Sequence, residues 1–145
     1  MSKIRIRKLK KGDAGDMSRI DAAITKARST LDYNRIVDEE VSRSGDASFV
    51  AEQDDKVVGY MISYIASGNF GIDKSAWIAM FGVDPKFMGQ GIGRSLAEKI
   101  FKVYKGKGIT HVFTSVSWDS TDLLSFFKTL GFDRSDFINL RKILD

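Results

Sequence analysis

Apolar and polar side chains alternate through Ile4, Arg5, Ile6 and Arg7, and this period of two predicts a first strand over 3–9. From residue 13 the period lengthens. Met17, Ile20, Ile24 and Ala27 fall on one face of a helix over 13–27, and Asp13 and Asp16 have N-terminal capping spacing. Tyr33, Ile36, Val37 and Val41 mark the inner face of a second helix over 33–43. Two apolar runs, 48–53 and 57–67, flank Asp54-Asp55-Lys56, which is a hairpin signal. After a loop at 68–74, a third run over 75–83 ends at Asp84-Pro85. Ile92, Leu96, Ile100 and Val103 define a helix from about Gly91 to Lys105. A strand over 111–117, a helix over 120–130 stopped by the C-cap glycine Gly131, and a closing strand over 137–144 complete the chain. The order β-α-α-β-β-β-α-β-α-β mixes antiparallel meander with crossover helices. It predicts an α+β fold, a mixed central sheet flanked by helices, in one domain over 1–145.

Composition narrows the chemistry. At 43% hydrophobic and 29% charged, the 145 residues can build a core without staples. The absence of cysteine excludes disulfides, thiolate nucleophiles and cysteine metal sites. A single histidine, His111, excludes a multi-histidine metal centre. The basic amino terminus lacks an apolar signal-peptide core, and no apolar run approaches the roughly 20 residues of a membrane span. A cytoplasmic protein without a membrane partner is expected. The net charge of +4 is modest. Lys3 to Lys11 reads as a strand with one solvated face rather than as a nucleic-acid arm, since no recognition motif accompanies it.

The most informative stretch is Phe-Gly-Val-Asp-Pro-Lys-Phe-Met-Gly-Gln-Gly-Ile-Gly-Arg-Ser, residues 81–95. Gly82 sits near the end of a strand, where glycine often marks a bulge or the close approach of a backbone or ligand. Pro85, the only proline, ends that strand. Gly89, Gly91 and Gly93 then alternate into a helix. Such a loop can turn successive N–H groups inward as an anion nest, and the helix amino terminus adds unpaired N–H groups and positive potential. The loop is shaped for phosphate. It is not a mononucleotide P-loop, because G-x-x-x-x-G-K-[ST] is absent. It is not a dinucleotide fingerprint either, because the third glycine is replaced by Arg94 or Leu96 in the two registers.

The segment from Val83 to Ile100 instead resembles the acetyl-CoA-binding motif of the GNAT superfamily of N-acetyltransferases, Arg/Gln-x-x-Gly-x-Gly/Ala after a strand ending in Val-x-Pro. Here the motif reads Met88-Gly89-Gln90-Gly91-Ile92-Gly93. Downstream, Val116, Phe126, Gly131 and Phe132 match the family's Val-x-x-x-Asn-x-x-Ala-x-x-Phe-Tyr-x-x-x-Gly-Phe. The two motifs stand in order at the family's separation, and the element order is similar from end to end. The resemblance implies a GNAT-like fold and an enzyme that transfers the acetyl group of acetyl-CoA, its cosubstrate, directly to a primary amine. No metal is implied. The amine belongs to a small molecule or a protein, with the chain a monomer or homodimer and no nucleic-acid partner.

By the same resemblance, acetyl-CoA lies where strands 75–83 and 111–117 splay apart. Backbone groups of Phe81, Gly82 and Val83 would pair with the pantetheine arm, and a strand N–H near Phe81 would stabilise the oxyanion. Met88 and Ile92 would line the loop, while the N–H groups of Gly89, Gln90, Gly91, Gly93 and Arg94 hold the pyrophosphate. Arg94 in a first helical turn opposes the helix dipole, a conflict that a phosphate partner would remove. Of the other basic residues nearby, Lys86 among them, Lys99, Lys102, Lys105 and Lys107 are accounted for as an ordinary solvated helix face.

Three positions depart from the family pattern. Met88 replaces Arg/Gln and removes one phosphate contact but leaves the backbone nest. Ser120 replaces Asn; it is both a candidate ligand for the pantetheine arm and a candidate helix N-cap. Phe127 replaces the Tyr that often protonates the leaving thiolate. Either Ser120, Ser117, Tyr104 or water donates, or the thiolate leaves unassisted, as its pKa of about 8.5 tolerates. An alkyl amine, with a pKa of about 10.4, needs a base before it attacks. Asp119 and Glu52 are the candidate carboxylates, and Asp119 is equally a candidate helix cap. The acceptor side would draw on Asp32, Tyr33, Asp38, Glu39 and Glu40, residues that an ordinary solvated helix face explains as well. Trp77 and Trp118 are candidate cleft or core aromatics, and His111 is expected to be structural. The alternative to an enzyme is a CoA-binding regulatory or scaffold domain with little or no transfer activity.

Overall fold

A computed structural model describes residues 3–28, 30–43 and 47–145. The chain divides into two compact units, residues 1–113 and 114–145. The elements are β1 (Arg5–Lys8), α1 (Ala14–Thr25), α2 (Tyr33–Ser42), β2 (Phe49–Gln53), β3 (Lys56–Ser67), β4 (Lys74–Val83), α3 (Ile92–Gly106), β5 (Val112–Thr114) and α4 (Thr121–Thr129). The sheet runs in the order β1-β2-β3-β4-β5. Its first three pairings are antiparallel. The crossover through α3 then brings β5 alongside β4, making the sheet mixed.

The predicted hairpin forms between β2 and β3. Asp54 and Asp55 both take positive φ, 53° and 61°, as a two-residue turn of the twist-compatible kind requires. Alternation along the strands then sorts the core. Val50, Tyr60 and Ile62 pack with Met17 and Ile20 of α1 and Tyr33 and Val37 of α2. The opposite face pairs Phe49 with Met61 and Ala51 with Gly59. There α3 lies across Gly59 and buries Ile92, Leu96, Ala97, Ile100 and Tyr104. The Tyr104 hydroxyl accepts from the Ala47 N–H (3.0 Å) and lies 2.7 Å from Ser63 Oγ, which itself donates to the Ala47 carbonyl. Ser48 extends this buried chain to Glu40 (3.1 Å), and Arg43 pairs with Glu40 at 2.8 Å.

Asp13 and Asp16 do not cap α1 as their spacing suggests. Arg7 reaches both oxygens of Asp13 (2.8 and 3.0 Å), and the Lys10 N–H donates to it, so Asp13 closes the 3₁₀ turn before the helix. Asp16 accepts from the Val57 N–H at 3.0 Å, tying α1 to β3. In the second unit, α4 ends as expected at Gly131 (φ 93°), where the Phe132 N–H bonds to the Phe127 carbonyl. The closing strand is absent. Residues 137–144 form no ladder, and Ile138, Leu140, Ile143 and Leu144 are exposed. A strand has no hydrogen bonds of its own, so alternation without a partner edge does not make one. The strand over 111–117 likewise shortens to Val112–Thr114.

Candidate functional site

The carboxyl end of β4 and the amino end of α3 are joined by the eight residues of loop and turn from Asp84 to Gly91. The Ala76 N–H bonds to the His111 carbonyl at 3.0 Å, β5 stops at Thr114, and β4 runs on to Val83. Phe81, Gly82 and Val83 thus lie further along β4 than its bond to the segment entering β5. Gly82 pairs with Tyr60 across the ladder. A Cβ there would sit 2.9 Å from the Cε1, Cζ and OH atoms of Tyr60, so the glycine is required by the ring stacked on it. Burial, and then the neighbouring Tyr33 hydroxyl 3.4 Å away, push the Tyr60 phenol well above its ordinary pKa. It remains protonated.

Asp84 anchors the turn that follows. Its carboxylate accepts from the Lys86 N–H (3.1 Å) and from Arg19 of α1 (2.9 Å), while Arg19 also donates to the Val57 carbonyl (2.8 Å). Burial works to raise the Asp84 pKa, but the Lys86 N–H and the Arg19 guanidinium outweigh it and hold the group below its ordinary value. Asp84 stays ionised and fixes the direction in which the chain leaves β4. A 3₁₀ turn over Pro85–Phe87 follows.

Gly89 (φ 82°) and Gly91 (φ 77°) then take the left-handed conformation expected of them. Gly91 is the N-cap of the fifteen-residue α3, and it offers that helix no side-chain cap. The N–H groups of the first turn are therefore left to solvent or to a ligand, next to the positive end of the helix dipole. Met88, Gly89, Gln90, Gly91 and Arg94 are exposed, and Ile92 and Gly93 are buried against the sheet. Arg94 lies 3.5 Å from Glu98 on the solvent side. The exposed part of the loop and the open first turn of α3 thus present main-chain N–H groups of the kind that can receive an anion.

The second unit carries the other candidates. Ser120 stands at the N-cap of α4, yet its side chain makes no capping bond, which leaves the half-buried hydroxyl available for other chemistry. Asp119 is exposed and accepts from Ser117 Oγ at 2.8 Å. Phe127 is buried, its ring edge-to-face with Phe126 and Phe132 at 5.2 Å each. Trp118 is 88% exposed and contributes nothing to a core.

Other candidates have structural partners. Glu52 lies on β2, separated from β4 by β3, and is held by Arg7 (2.9 Å) and Arg5 (2.8 Å). The hydrogen bond from Arg7 lowers its pKa further, which makes it a poor proton acceptor. Asp32 caps α2 by accepting from the Arg35 N–H, Tyr33 is buried in the core, and Glu40 belongs to the Ser48–Arg43 network. Of the acidic set on α2, Asp38 and Glu39 remain exposed, with Glu39 3.5 Å from Arg35. Trp77 stacks on Phe113 at 4.9 Å, and the His111 ring stacks on the same phenylalanine at 6.1 Å. The residues that sequence reading passed over are Arg19, whose partner is 65 positions away, and Gly59. A lone glycine inside the apolar run of β3 was the available signal for Gly59.

This arrangement has relatives. Residues 16–132 match the acetyltransferase (GNAT) family. Mycothiol acetyltransferase of Amycolatopsis mediterranei is 28% identical over 94 residues, 63% of this chain and 31% of that protein. N-alpha-acetyltransferase 30 of Schizosaccharomyces pombe is 30% identical over 87 residues, 60% of this chain and 57% of that one. The chain thus spans less than two thirds of the length of these relatives. An aminoglycoside N-acetyltransferase solved in complex with CoA shares the fold, with a TM-score of 0.82 at 16% identity over 99% of this chain and 96% of that one. The family match runs from α1 through the glycine loop to the phenylalanine after Gly131, and on that ground the chain belongs to the acetyltransferase (GNAT) family.

Proposed function

We propose that this protein is an N-acetyltransferase that moves the acetyl group of acetyl-CoA directly to a primary amine on a small molecule or a protein. The observation that carries the proposal is the loop of left-handed Gly89 and Gly91 opening onto the side-chain-uncapped start of α3. Main-chain N–H groups of Gly89, Gln90, Gly91, Gly93 and Arg94 bind the pyrophosphate, and Met88 and Ile92 flank it. The exposed amino end of α3 fits such a group, because a Cβ at Gly89 or Gly91 would point into open space while both backbones need positive φ. Phe81, Gly82 and Val83 orient the pantetheine arm.

Acetyl-CoA supplies an activated acyl carbon and a thiolate leaving group. The protein's own part is to deliver a neutral amine, to stabilise charge on the acyl oxygen, and to accept one proton. Asp119 takes the ammonium proton, directly or through water, and a β4 main-chain N–H near Phe81 faces the developing oxyanion. Ser120, with its uncommitted hydroxyl, bonds the arm and donates toward the departing sulfur. Phe127, buried against Phe126 and Phe132, has no hydroxyl to donate. Bond formation from nitrogen to carbon is matched by cleavage from carbon to sulfur, and the products are an amide and a free thiol.

A second reading, a CoA-binding domain with little transfer activity, is favoured by the buried, hydroxyl-free ring of Phe127. One experiment separates them. Acetyl-CoA is titrated calorimetrically into the protein and into a Gly91→Glu variant, and thiol release is then followed with a panel of amines. Saturable binding to wild type alone, with amine-dependent thiol release, supports the enzyme. Binding without release from any amine supports the second reading. Absence of binding to wild type rejects both.

A further inference from the structure

Gly59 of β3 is not in a left-handed conformation, so its backbone does not require glycine. What the position requires is the absence of a side chain. A Cβ there would lie 2.9 Å from Cγ2 of Ile92, 3.5 Å from the Gly82 carbonyl and 3.6 Å from Cδ1 of Leu96. The closest of these is shorter than real Cβ atoms tolerate. Ile92 cannot readily yield. It is the first residue of α3, 3% exposed, and its Cγ2 hangs directly on a β-branch whose χ1 a helix restricts. The strain therefore passes to the backbone of Ile92, next to Gly91 and the N–H groups of the first turn. Leu96, wholly buried one turn later, bars a sideways slide.

We infer that Gly59 is a positioning residue for the acyl-CoA site: its missing side chain seats Ile92 against the sheet and so sets where the amino end of α3 presents its N–H groups. This rests on the reading of the glycine loop as the pyrophosphate site. It places a determinant of cosubstrate affinity on β3, one strand over from the β4 residues assigned to the pantetheine arm.

The test is calorimetric titration of acetyl-CoA into wild type, Gly59→Ala, Gly59→Ala/Ile92→Leu and Ile62→Ala. Leucine keeps the volume but moves the branch away from Cβ, and Ile62 belongs to the core on the other face of the sheet. The Gly59→Ala change should weaken acetyl-CoA by about tenfold, as small displacements of positioned groups do. The leucine change should restore most of it. Ile62→Ala should lower the thermal midpoint at least as much as Gly59→Ala and leave the affinity within about twofold, since the pocket is not displaced. Should Gly59→Ala fail to fold, Ile92→Ala in wild type takes its place; it removes Cγ2 and the seat together and should weaken binding similarly. Unchanged affinity in Gly59→Ala, or an equal loss in Ile62→Ala, overturns the inference while wild-type binding keeps the site. Failure of wild type to bind acetyl-CoA overturns the underlying site instead.

Discussion

Asp84 offers a sharp quantitative test, because one nearly buried carboxylate joins α1, β3 and the turn leading to the glycine loop. Replacing it with asparagine keeps an acceptor for the Lys86 N–H but removes the charge paired with Arg19. A hydrogen bond to a charged group contributes about 1.5–3 kcal/mol. The Arg19 side chain is 35% exposed, and solvent screening brings its share to the low end. Asp84→Asn should therefore lose about 1 kcal/mol and Asp84→Ala about 2–3 kcal/mol, the latter leaving two donors without an acceptor. The pH dependence follows from the direction of the pKa shift. Asp84 titrates below its ordinary 3.8 in the folded protein, so its stabilisation is present above that value and is lost as pH falls through the folded pKa. Urea unfolding followed by circular dichroism at pH 7, 5, 4 and 3 should show the gap between wild type and Asp84→Asn widest above about pH 5 and narrowing below it. A gap that stays constant with pH, or no gap at all, would refute the assignment of Asp84 as the ionised anchor.

Three more expectations are accessible to the same instruments. Arg7→Met leaves Asp13, 5% exposed, with the Lys10 N–H alone, and should lower stability by about 2–3 kcal/mol in urea unfolding. Tyr60 has a folded pKa raised above its ordinary 10.0, so stability drains away as pH climbs from the unfolded pKa toward the folded one; Tyr60→Phe should flatten that alkaline slope in thermal melts above pH 10. Asp55→Gly, at φ 61° in the β2–β3 turn, should raise the thermal midpoint by relieving a left-handed aspartate, a gain of about 0.5–1 kcal/mol.

What could be read from the chain beforehand was whatever is encoded in neighbouring residues. The alternation around Ile4 and Ile6, the Asp54-Asp55 turn, the stop at Gly131 and the glycine loop are all local patterns, and each appears in the structure at or near its expected place. Errors arose where a residue's partner lies in another element of the fold. Asp13 reads as a cap for α1 until Arg7 takes it, and Asp16 until the Val57 N–H does. The alternation in 137–144 carries no statement about which edge would accept it. At the site, the conformation of Gly89 and Gly91 follows from their own residue type. The Arg19–Asp84 bond and the fit of Ile92 over Gly59 are products of three-dimensional packing that no spacing announces.

The buried chain around Tyr104 has a mechanical consequence. That tyrosine sits near the carboxyl end of α3 and is locked by directional bonds to Ala47 and Ser63, whereas the Ile92 side chain at the other end has only apolar atoms to set against the sheet. Twelve residues of helix separate them, a lever of roughly 18 Å. A tilt of about 3° at the Tyr104 pivot swings the glycine loop by about 1 Å, the scale on which positioned groups lose their effect. The fulcrum of the loop is therefore a phenol hydroxyl at the far end of the helix.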